Sequence, residues 1–317
     1  MGISKVYERE MKVGIRKTPE FEKKLLATHG VNVGLKCGHA CAYCFTPSII
    51  RNHPIFKEIG KSPYDDSYAV VDPTVVRRIR KDAEKIGRYS TVMVCTYTDA
   101  WAPEPKKFNL GRGLLETLLE KGNSQVRILT KNVSVKEDYS LIEEYRDRVM
   151  VGFSITAQPN KNTMEKIEPN ASSNKERVTA LIEAHNLGLR TYAMLCPCLP
   201  GVCSSKPDLR GLISSVLPAE PEDLWLEPVN ARGPALQKTS KVFREQGNHK
   251  IAKAIDDIRH RDKWSKYATK LTKDALDCGE DLGISDKIHI LLYEKNFKGE
   301  DVLALKSEDR GGNIVWL

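Results

Sequence analysis

Residues 37–44 read Cys-Gly-His-Ala-Cys-Ala-Tyr-Cys, and this stretch decides the interpretation of the chain. Three residues separate Cys37 from Cys41, and two separate Cys41 from Cys44. This spacing suits a short loop that folds over one side of a cubane iron–sulfur cluster. A [4Fe–4S] cluster normally takes four Cys ligands, so three local thiolates leave one iron open to a small chelating molecule. The motif therefore predicts a metal centre with a reactive open position.

Two other interpretations of the same stretch remain open on spacing alone. Cys37, His39, Cys41 and Cys44 form a possible Cys3His zinc site, because zinc favours tetrahedral sulfur and nitrogen ligation. Four ligands within eight residues is tighter than the usual paired knuckles, and no second Cys pair follows at finger spacing. A disulfide is disfavoured because the N-terminal residues have no apolar region typical of a secretory signal. Ligand type and spacing favour the cluster.

Composition indicates a globular protein in a reducing compartment. The 317 residues are 40% hydrophobic and 29% charged, and no segment has the roughly 18 consecutive apolar residues of a membrane helix. We therefore expect a cytoplasmic protein without a membrane partner, in which the eight Cys are metal or redox groups rather than disulfides.

The net charge of +8 is concentrated near the C-terminus. Residues 241–273 hold ten Lys or Arg against four Asp or Glu, interleaved with Phe243, Trp264 and Tyr267. Basic charge with aromatics is typical of a surface that follows a phosphate backbone and stacks bases, which makes DNA or RNA a possible partner. The alternative is a solvated helical face whose aromatics turn into the core.

Strand and helix patterns alternate through the middle of the chain, which predicts parallel βαβ units. The expected strands are residues 32–36, 91–96, 126–130, 149–155, 189–195 and 224–227. Asp72-Pro73 and Ser173 are expected helix starts, and Gly122 an expected helix end. Six units are too few for a closed eight-stranded barrel. In parallel α/β folds the functional residues lie at the carboxyl ends of strands, where Cys37, Asp99, Lys131 and Ser154 are found.

Beyond residue 232 the pattern changes. Two basic helices are expected between 240 and 278, followed by strands at 288–293, 302–305 and 314–316. We divide the chain into an N-terminal arm (1–30), a central α/β domain (31–231) and a basic C-terminal extension of helices and strands (232–317) that closes the open side of the sheet.

The cluster loop and five downstream segments resemble the radical S-adenosylmethionine (SAM) superfamily, in particular the spore photoproduct lyase branch with its DNA repair photolyase-like relatives. The downstream segments are Cys95-Thr96-Tyr97-Thr98-Asp99, Val126–Lys131, Gly152–Thr156, Ile167–Asn170 followed by Arg177, and Leu199-Pro200-Gly201. The resemblance covers about residues 30–230. It implies an α/β fold built as a partial (β/α)6 barrel, here with a small α+β C-terminal extension.

The resemblance also implies cofactors and roles. Cys37, Cys41 and Cys44 would hold a [4Fe–4S] cluster, and an external one-electron reductant such as flavodoxin or ferredoxin would drive the cleavage of SAM. The expected SAM-binding residues include Lys131 and Ser154, which would contact its carboxylate; the others are Tyr43, Thr98, Asp99 and Arg177. The implied activity is repair or modification of a nucleic acid, and the alternative substrate is a small molecule, peptide or protein.

Cys95 has an expected catalytic role from the same resemblance. In the similar turn of the lyase, a Cys gives a hydrogen atom to the product radical, and a thiol S–H bond is weak enough for this. The spacing Cys-Thr-Tyr-Thr-Asp differs by one residue from the lyase pattern, and one step along a strand reverses the direction of a side chain. A packing role for Cys95 is the alternative.

Three further Cys depart from the family pattern, in which mostly apolar residues occupy this segment. Cys196, Cys198 and Cys203 lie within eight residues and, with Cys278, could form a second metal site. The alternative is that they are small buried hydrophobic residues.

Overall fold

The computed structural model describes residues 5–231, 233–309 and 311–317. Its strands are β1 (Lys5–Glu8), β2 (Arg16–Lys17), β3 (His29–Val31), β4 (Gly34–Lys36), β5 (Tyr68–Val71), β6 (Thr91–Val94), β7 (Gln125–Thr130), β8 (Val149–Ser154), β9 (Arg190–Cys198), β10 (Asp223–Pro228), β11 (Ile288–Leu292) and β12 (Ile314–Trp316). The helices up to β10 are α1 (Pro19–Lys23), α2 (Thr46–Ile50), α3 (Pro54–Glu58), α4 (Val75–Ala83), α5 (Pro103–Lys106), α6 (Leu110–Lys121), α7 (Tyr139–Glu144), α8 (Asn174–Asn186) and α9 (Lys206–Val216). The later helices are α10 (Ala235–Glu245), α11 (His249–Asp257), α12 (Arg261–Leu282) and α13 (Gly299–Glu308).

The central element is a nine-stranded sheet in the order β12-β11-β10-β9-β8-β7-β6-β3-β2. All neighbouring pairs from β3 to β12 are parallel, and only β2 pairs antiparallel, with β3. A sheet of parallel strands with intervening helices confirms the α/β class. The partial (β/α)6 barrel itself stays a prediction, because the same sheet continues through β11 and β12.

The two faces of this sheet have different coverings, because side chains alternate along each strand. One face packs against the helices in a large core that includes Val126, Ile128, Leu181 and Leu212. The other, which we call the inner face, carries a smaller cluster that includes Met93, Met150, Tyr192, Met194 and Trp225. Leu26 and Phe21 of the N-terminal arm pack on this inner face. The N-terminal arm therefore covers part of the inner face of the sheet.

The predicted first strand is wrong in its placement. The sheet strand is β3, whereas Gly34–Lys36 forms β4, which pairs antiparallel with β5 in a separate three-stranded sheet ordered β1-β5-β4. The Cys loop follows β4 directly and so leaves from this small sheet. Gly34 allows the close approach, because a Cβ there would lie 2.1 Å from the carbonyl oxygen of Val70.

The C-terminal region also differs from the expectation. Residues 302–305 lie in α13 and not in a strand, and three helices, α10 to α12, replace the predicted two. β11 and β12 continue the sheet beside β10, and within the described residues β12 and β2 are its unpaired edges, so these strands extend the sheet and do not close it. Arg232, at the predicted boundary, lies outside the described residues, as do residues 1–4 of the predicted arm.

Local signals were more reliable in the middle of the chain. Ser173 caps α8 in a capping box with Glu176, and α6 ends at Gly122 as predicted. Near Asp72 the helix begins two residues later, after Thr74. None of the helices in the described ranges combines the length and apolar character needed to cross a bilayer.

Candidate cluster and cofactor site

The three Cys of the loop face one cavity. Cys37, Cys41 and Cys44 are each partly exposed and line a cavity of about 170 Å³, whose wall also includes Lys36 and Lys238. Burial raises the pKa of the Cys37 thiol and raises that of Cys41 to about 12; nearby Cys44 adds to both shifts. A raised pKa means that ionising these thiols costs free energy, and the positive irons of a metal cluster would offset that cost. Three soft ligands grouped around one cavity therefore suit a metal cluster.

Backbone contacts fix the shape of the loop. Glu104 of α5 accepts a hydrogen bond from the Gly38 amide at 3.1 Å, and the Asn170 side chain donates to the Gly38 carbonyl at 2.7 Å. The Ala42 amide donates to the carbonyl of Ile167 at 2.8 Å. A Cβ at residue 38 would lie 2.2 Å from the Glu104 carboxylate, so any larger residue there would have to displace Glu104. Side chains from α5 and residues 167–170 therefore help to fix the position of the loop.

A buried ionic network lies beneath the loop. Arg177 and Glu168 form an ion pair whose side chains are 1% and 2% exposed, and the Tyr43 hydroxyl donates to the same carboxylate. Arg177 also donates to the carbonyl oxygens of Ser154 at 2.6 Å and Ser172 at 2.7 Å. Burial alone would raise the pKa of Glu168, but the charges of Arg177 and Lys131 outweigh it and hold that pKa below its usual value. The network ties the loop to β8 and α8.

The resemblance predicts that Tyr43 and Arg177 contact SAM. In the structure, both side chains instead form hydrogen bonds with the Glu168 carboxylate. Asp99 is similarly engaged: it accepts from the Thr130 hydroxyl at 2.8 Å, the Lys131 amide at 2.8 Å and the Trp101 amide at 3.0 Å. Thr98 donates its backbone amide to Asn32 at 3.3 Å. Direct contact of these four residues with SAM stays a prediction.

Lys131 and Ser154 lie together, at the ends of neighbouring strands. The Lys131 ammonium donates to the Ser154 hydroxyl at 2.6 Å, and it lies 5.8 Å from the centre of the Tyr43 ring. Both residues line a second cavity of about 210 Å³ above the inner face, which Tyr43 and Cys44 also border. The predicted cofactor residues are therefore brought next to the Cys loop, with a cation available for a carboxylate.

Cys196 and Glu227 lie near the ends of the next two strands of the sheet, beside Lys131 and Ser154. The order of the sheet places Lys131 after β7, Ser154 in β8, Cys196 in β9 and Glu227 in β10, and all four line the second cavity. Lys24, 6% exposed, reaches this cavity from the arm. Sequence reasoning missed Glu227 and Lys24; a lone Glu directly after the apolar run Leu224–Leu226, at the end of a predicted strand, was the available signal for the former.

Cys95 follows the last residue of β6 and is 4% exposed. It belongs to the helix-side core with Val33, Ala100 and Trp101, and it also lines the second cavity. Burial raises the pKa of its thiol to about 12. The catalytic role of Cys95 stays a prediction, and its packing favours the core alternative.

The remaining Cys do not come together as a four-thiol site. Cys196 borders the second cavity, and Cys198 and Cys203 are fully buried neighbours in the helix-side core. Cys278 lies on α12, where its thiol donates to the carbonyl of Lys206. Within the described residues, no three His, Cys, Asp or Glu side chains lie close enough together to hold a single metal ion. This includes the loop thiols of Cys37, Cys41 and Cys44, because a cluster held across a cavity would space its ligands more widely than a single ion.

The basic C-terminal stretch does not form the predicted stacking surface. Phe243 and Trp264 are 0% and 4% exposed, and the Tyr267 hydroxyl donates to the Cys198 carbonyl. Many of the cations are paired with acids, including Arg244 with Asp256 at 2.6 Å and Lys263 with Asp257 at 2.6 Å. The aromatics are therefore placed as the alternative predicts, while contact of the remaining cations with DNA or RNA stays a prediction.

The chain is 25% identical over 240 residues to an uncharacterized protein of Acidianus two-tailed virus, covering 74% of this chain and 77% of the other. It is also 26% identical over 174 residues to an uncharacterized protein of Methanocaldococcus jannaschii. That match covers 55% of this chain and 61% of the other protein, which is less than two thirds of its length. No family model matches the chain.

Among solved structures, spore photoproduct lyase with bound AdoMet and dinucleoside spore photoproduct matches with a TM-score of 0.54 and 14% identity. That match covers 76% of this chain and 66% of the lyase. A point mutant of the lyase matches with a TM-score of 0.57 over 89% of this chain and 79% of the other, also at 14% identity. The chain has the spore photoproduct lyase fold. The resemblance inferred from its motifs is thereby confirmed at the level of the fold.

Proposed function

We propose that this protein is a radical SAM enzyme. The observation that carries the proposal is the adjacency of two features. Three thiols face one cavity, and Lys131 with Ser154 lines the next, with Cys44 bordering both. Cys37, Cys41 and Cys44 would hold the [4Fe–4S] cluster and leave one iron for SAM. When bound, the two cofactors supply a 5′-deoxyadenosyl radical.

The chain's own residues would position SAM and exclude water. The Lys131 ammonium offers charge-assisted hydrogen bonds to a carboxylate, and the Ser154 hydroxyl, 2.6 Å away, orients it. Ser154 in turn donates to the carbonyl of Cys196 at 2.9 Å, which fixes its rotamer. Glu104, Asn170 and Glu168 hold the loop through Gly38 and Tyr43, by contacts that use none of the three thiols.

The substrate we put first is a nucleic acid, for lesion repair or base modification. Its support is the fold shared with a lyase whose structure contains a dinucleoside photoproduct. The second cavity is small and bordered by buried residues, so a base would have to leave its stack to enter. We expect such an enzyme to work in the cytoplasm with a flavodoxin- or ferredoxin-like reductant.

One observation favours a second candidate, a radical SAM enzyme acting on a small molecule, peptide or protein. The C-terminal aromatics are buried and many of the basic residues there are ion-paired, so this surface lacks the features expected for base stacking. Binding of DNA and RNA fragments at several salt concentrations separates the two candidates. A nucleic-acid enzyme would show affinity that falls steeply with salt.

Reconstitution under anaerobic conditions tests the radical SAM assignment. The protein should bind iron and sulfide, show an EPR signal on reduction, and change that signal when SAM is added. Replacing Cys37, Cys41 or Cys44 by Ala should abolish SAM cleavage, because two thiolates do not hold the cubane. One tightly bound zinc with no sulfide would refute the proposal and support the other alternative, a non-catalytic Cys-rich zinc-binding module built on the Cys3His site at residues 37–44.

A further inference from the structure

Lys24 and Glu227 are two buried side chains of opposite charge that the proposed cofactor binding does not use. They are 6% and 7% exposed, and both line the second cavity. Within the part of the chain that the structure describes, no ion pair joins the two groups directly. Buried charges normally pair or form hydrogen bonds, because burial without a partner costs free energy. Two such charges that face one cavity without touching indicate a place for a ligand that contacts both.

Neighbouring side chains hold each charge in position. Lys24 follows α1 of the arm, where it forms a hydrogen bond with Tyr293, and its ammonium lies 5.2 Å from the centre of the Phe21 ring. Burial would lower the pKa of Lys24, but Glu227 and Tyr293 outweigh burial and raise that pKa, so the side chain stays charged. Glu227 accepts one long hydrogen bond, from the Cys196 thiol at 3.6 Å. Both groups therefore keep hydrogen-bonding capacity for a molecule in the cavity.

Glu227 lies away from the end of the cavity that is expected to bind the carboxylate of SAM. It belongs to β10, which β8 and β9 separate from β7 and Lys131. Neighbouring strands are about 4.8 Å apart, so about 14 Å separates β7 from β10. Between them the cavity has an apolar lining that includes Met93, Leu129 and Met194. The charged pair is therefore placed to meet a molecule other than the carboxylate bound by Lys131.

The chemistry of the pair limits what it can bind. An ionised carboxylate only accepts hydrogen bonds and an ammonium only donates them, so the ligand must donate to Glu227 and accept from Lys24. A cyclic amide does both along one edge, because its ring holds the N–H and the C=O on the same side. The trans peptide bond of a linear chain points these groups to opposite sides and does not fit.

Electrostatics also favours an amide in this place. The dipole of an amide group aligns with the field between the two charges when its oxygen faces Lys24 and its N–H faces Glu227. The group is neutral, so it brings no further charge into an apolar cavity.

We propose that Lys24 and Glu227 recognise a cyclic amide edge of the substrate, with the N–H donating to Glu227 and the C=O accepting from Lys24. This inference rests on the proposed function and names the substrate class for the same cavity. A nucleobase in its keto form carries this edge, and so does a small-molecule lactam. The pair selects the chemistry that these two sources share.

Binding of matched probes to the full chain, reconstituted under anaerobic conditions and saturated with SAM, tests this by calorimetry. Uridine carries the ring N–H, whereas 3-methyluridine replaces it by a methyl group and keeps the ribose and both carbonyl groups. Uridine should bind at least about tenfold more tightly, because the methyl group removes a charge-assisted hydrogen bond. Equal affinities, or no binding of uridine, would overturn the proposal.

Two further probes separate the sources of the amide. A short oligouridylate that binds more tightly than uridine would identify a nucleic acid as the source. Hydantoin, a small cyclic amide without a sugar, would identify a small-molecule substrate if it binds as tightly as uridine.

Variants show whether the pair makes the contact. Lys24→Met and Glu227→Gln each leave one buried charge alone, so each should lower stability in urea unfolding. The double variant removes both charges and should recover much of that stability, yet it should bind uridine at least about tenfold more weakly than the wild type. The matched control is Glu120→Gln with Lys121→Met, an exposed pair at the end of α6, which should behave as the wild type. A double variant of Lys24 and Glu227 that binds uridine as the wild type does would overturn the assignment.

SAM affinity distinguishes the substrate from the cofactor as the ligand of the pair. The double variant should bind SAM as the wild type does, because Lys131 and Ser154 are unchanged. A loss of SAM affinity as large as the loss of uridine affinity would place the pair against the cofactor and overturn the proposal. A wild-type protein that holds no cluster or cleaves no SAM would refute the proposed function instead, and the comparison of uridine with 3-methyluridine would still be made on the cluster-free chain.

Discussion

Glu168→Gln is the substitution whose effect the structure defines best. The carboxylate accepts hydrogen bonds from Tyr43, from Arg177 and from the Thr156 hydroxyl at 3.2 Å, and Glu168 is 3% exposed. Glutamine keeps the size but removes the charge, which leaves the Arg177 guanidinium buried without a counter-ion. Losing one partner of a buried ion pair costs about 3–5 kcal/mol, a large part of the roughly 5–15 kcal/mol that stabilises a typical domain.

The assay is urea unfolding at neutral pH, with iron and sulfide content after reconstitution as the second readout. We expect a loss of about 3–5 kcal/mol in the free energy of unfolding and a lower cluster content, because Tyr43 lies within the Cys loop. Glu165→Gln, at an exposed position three residues earlier, is the control and should change stability by less than about 0.5 kcal/mol. A loss below about 1 kcal/mol for Glu168→Gln would refute the reasoning.

The remaining predictions concern the cofactor and acid stability. Lys131→Ala and Ser154→Ala should each weaken SAM binding by about 1.5–3 kcal/mol, or roughly ten- to a hundredfold, without loss of the cluster; unchanged affinity by calorimetry in both would contradict the assignment. Asp72→Asn should destabilise the protein by about 1.5–3 kcal/mol at pH 7, because its buried carboxylate accepts from Arg78 at 2.6 Å and Met11 at 2.9 Å. Burial tends to raise the pKa of Asp72, but the hydrogen bonds from Arg78 and Met11 outweigh burial and hold that pKa below its ordinary value. The stabilisation is therefore present above the unfolded pKa of about 3.9 and is lost as pH falls through the lower folded value. In urea unfolding, the free energies of unfolding of the wild type and Asp72→Asn should therefore become equal at acid pH. The exposed control Glu84→Gln should keep the same difference from the wild type at every pH. A difference between Asp72→Asn and the wild type that does not change with pH would contradict this prediction.

The site was predictable where chemistry is local in sequence. The Cys spacing, the strand ends at Lys131 and Ser154 and the capped start of α8 all follow from short patterns, and the structure places them close together. Cys196 and Glu227 were harder to predict, because their shared cavity depends on the parity of two strands. A one-residue shift in register would have turned both side chains to the other face.

The errors in the fold have a similar physical origin. Residues 302–305 are apolar enough for a strand, but Val302 and Leu305 are buried while Leu303 is exposed, which is the period of a helix. The aromatics of the basic stretch were ambiguous because composition does not show which face of a helix packs inward. Ion pairing across α10 and α11, such as Arg244 with Asp256, depends on tertiary contacts that no local pattern contains.

The first cavity has a wall that the cluster loop does not provide. Pro234, Ala235 and Lys238, at and near the start of α10, lie against the space faced by the three thiols, and Lys238 forms an ion pair with Asp66 of the same wall. In the proposed enzyme, this helix would limit how easily dissolved oxygen reaches the irons of the cluster. Lys238→Ala would open that wall while keeping every ligand, and bleaching of the cluster in air, followed by visible absorbance, should become faster. Resistance of the proposed cluster to oxygen damage would then depend in part on a helix that supplies no ligand.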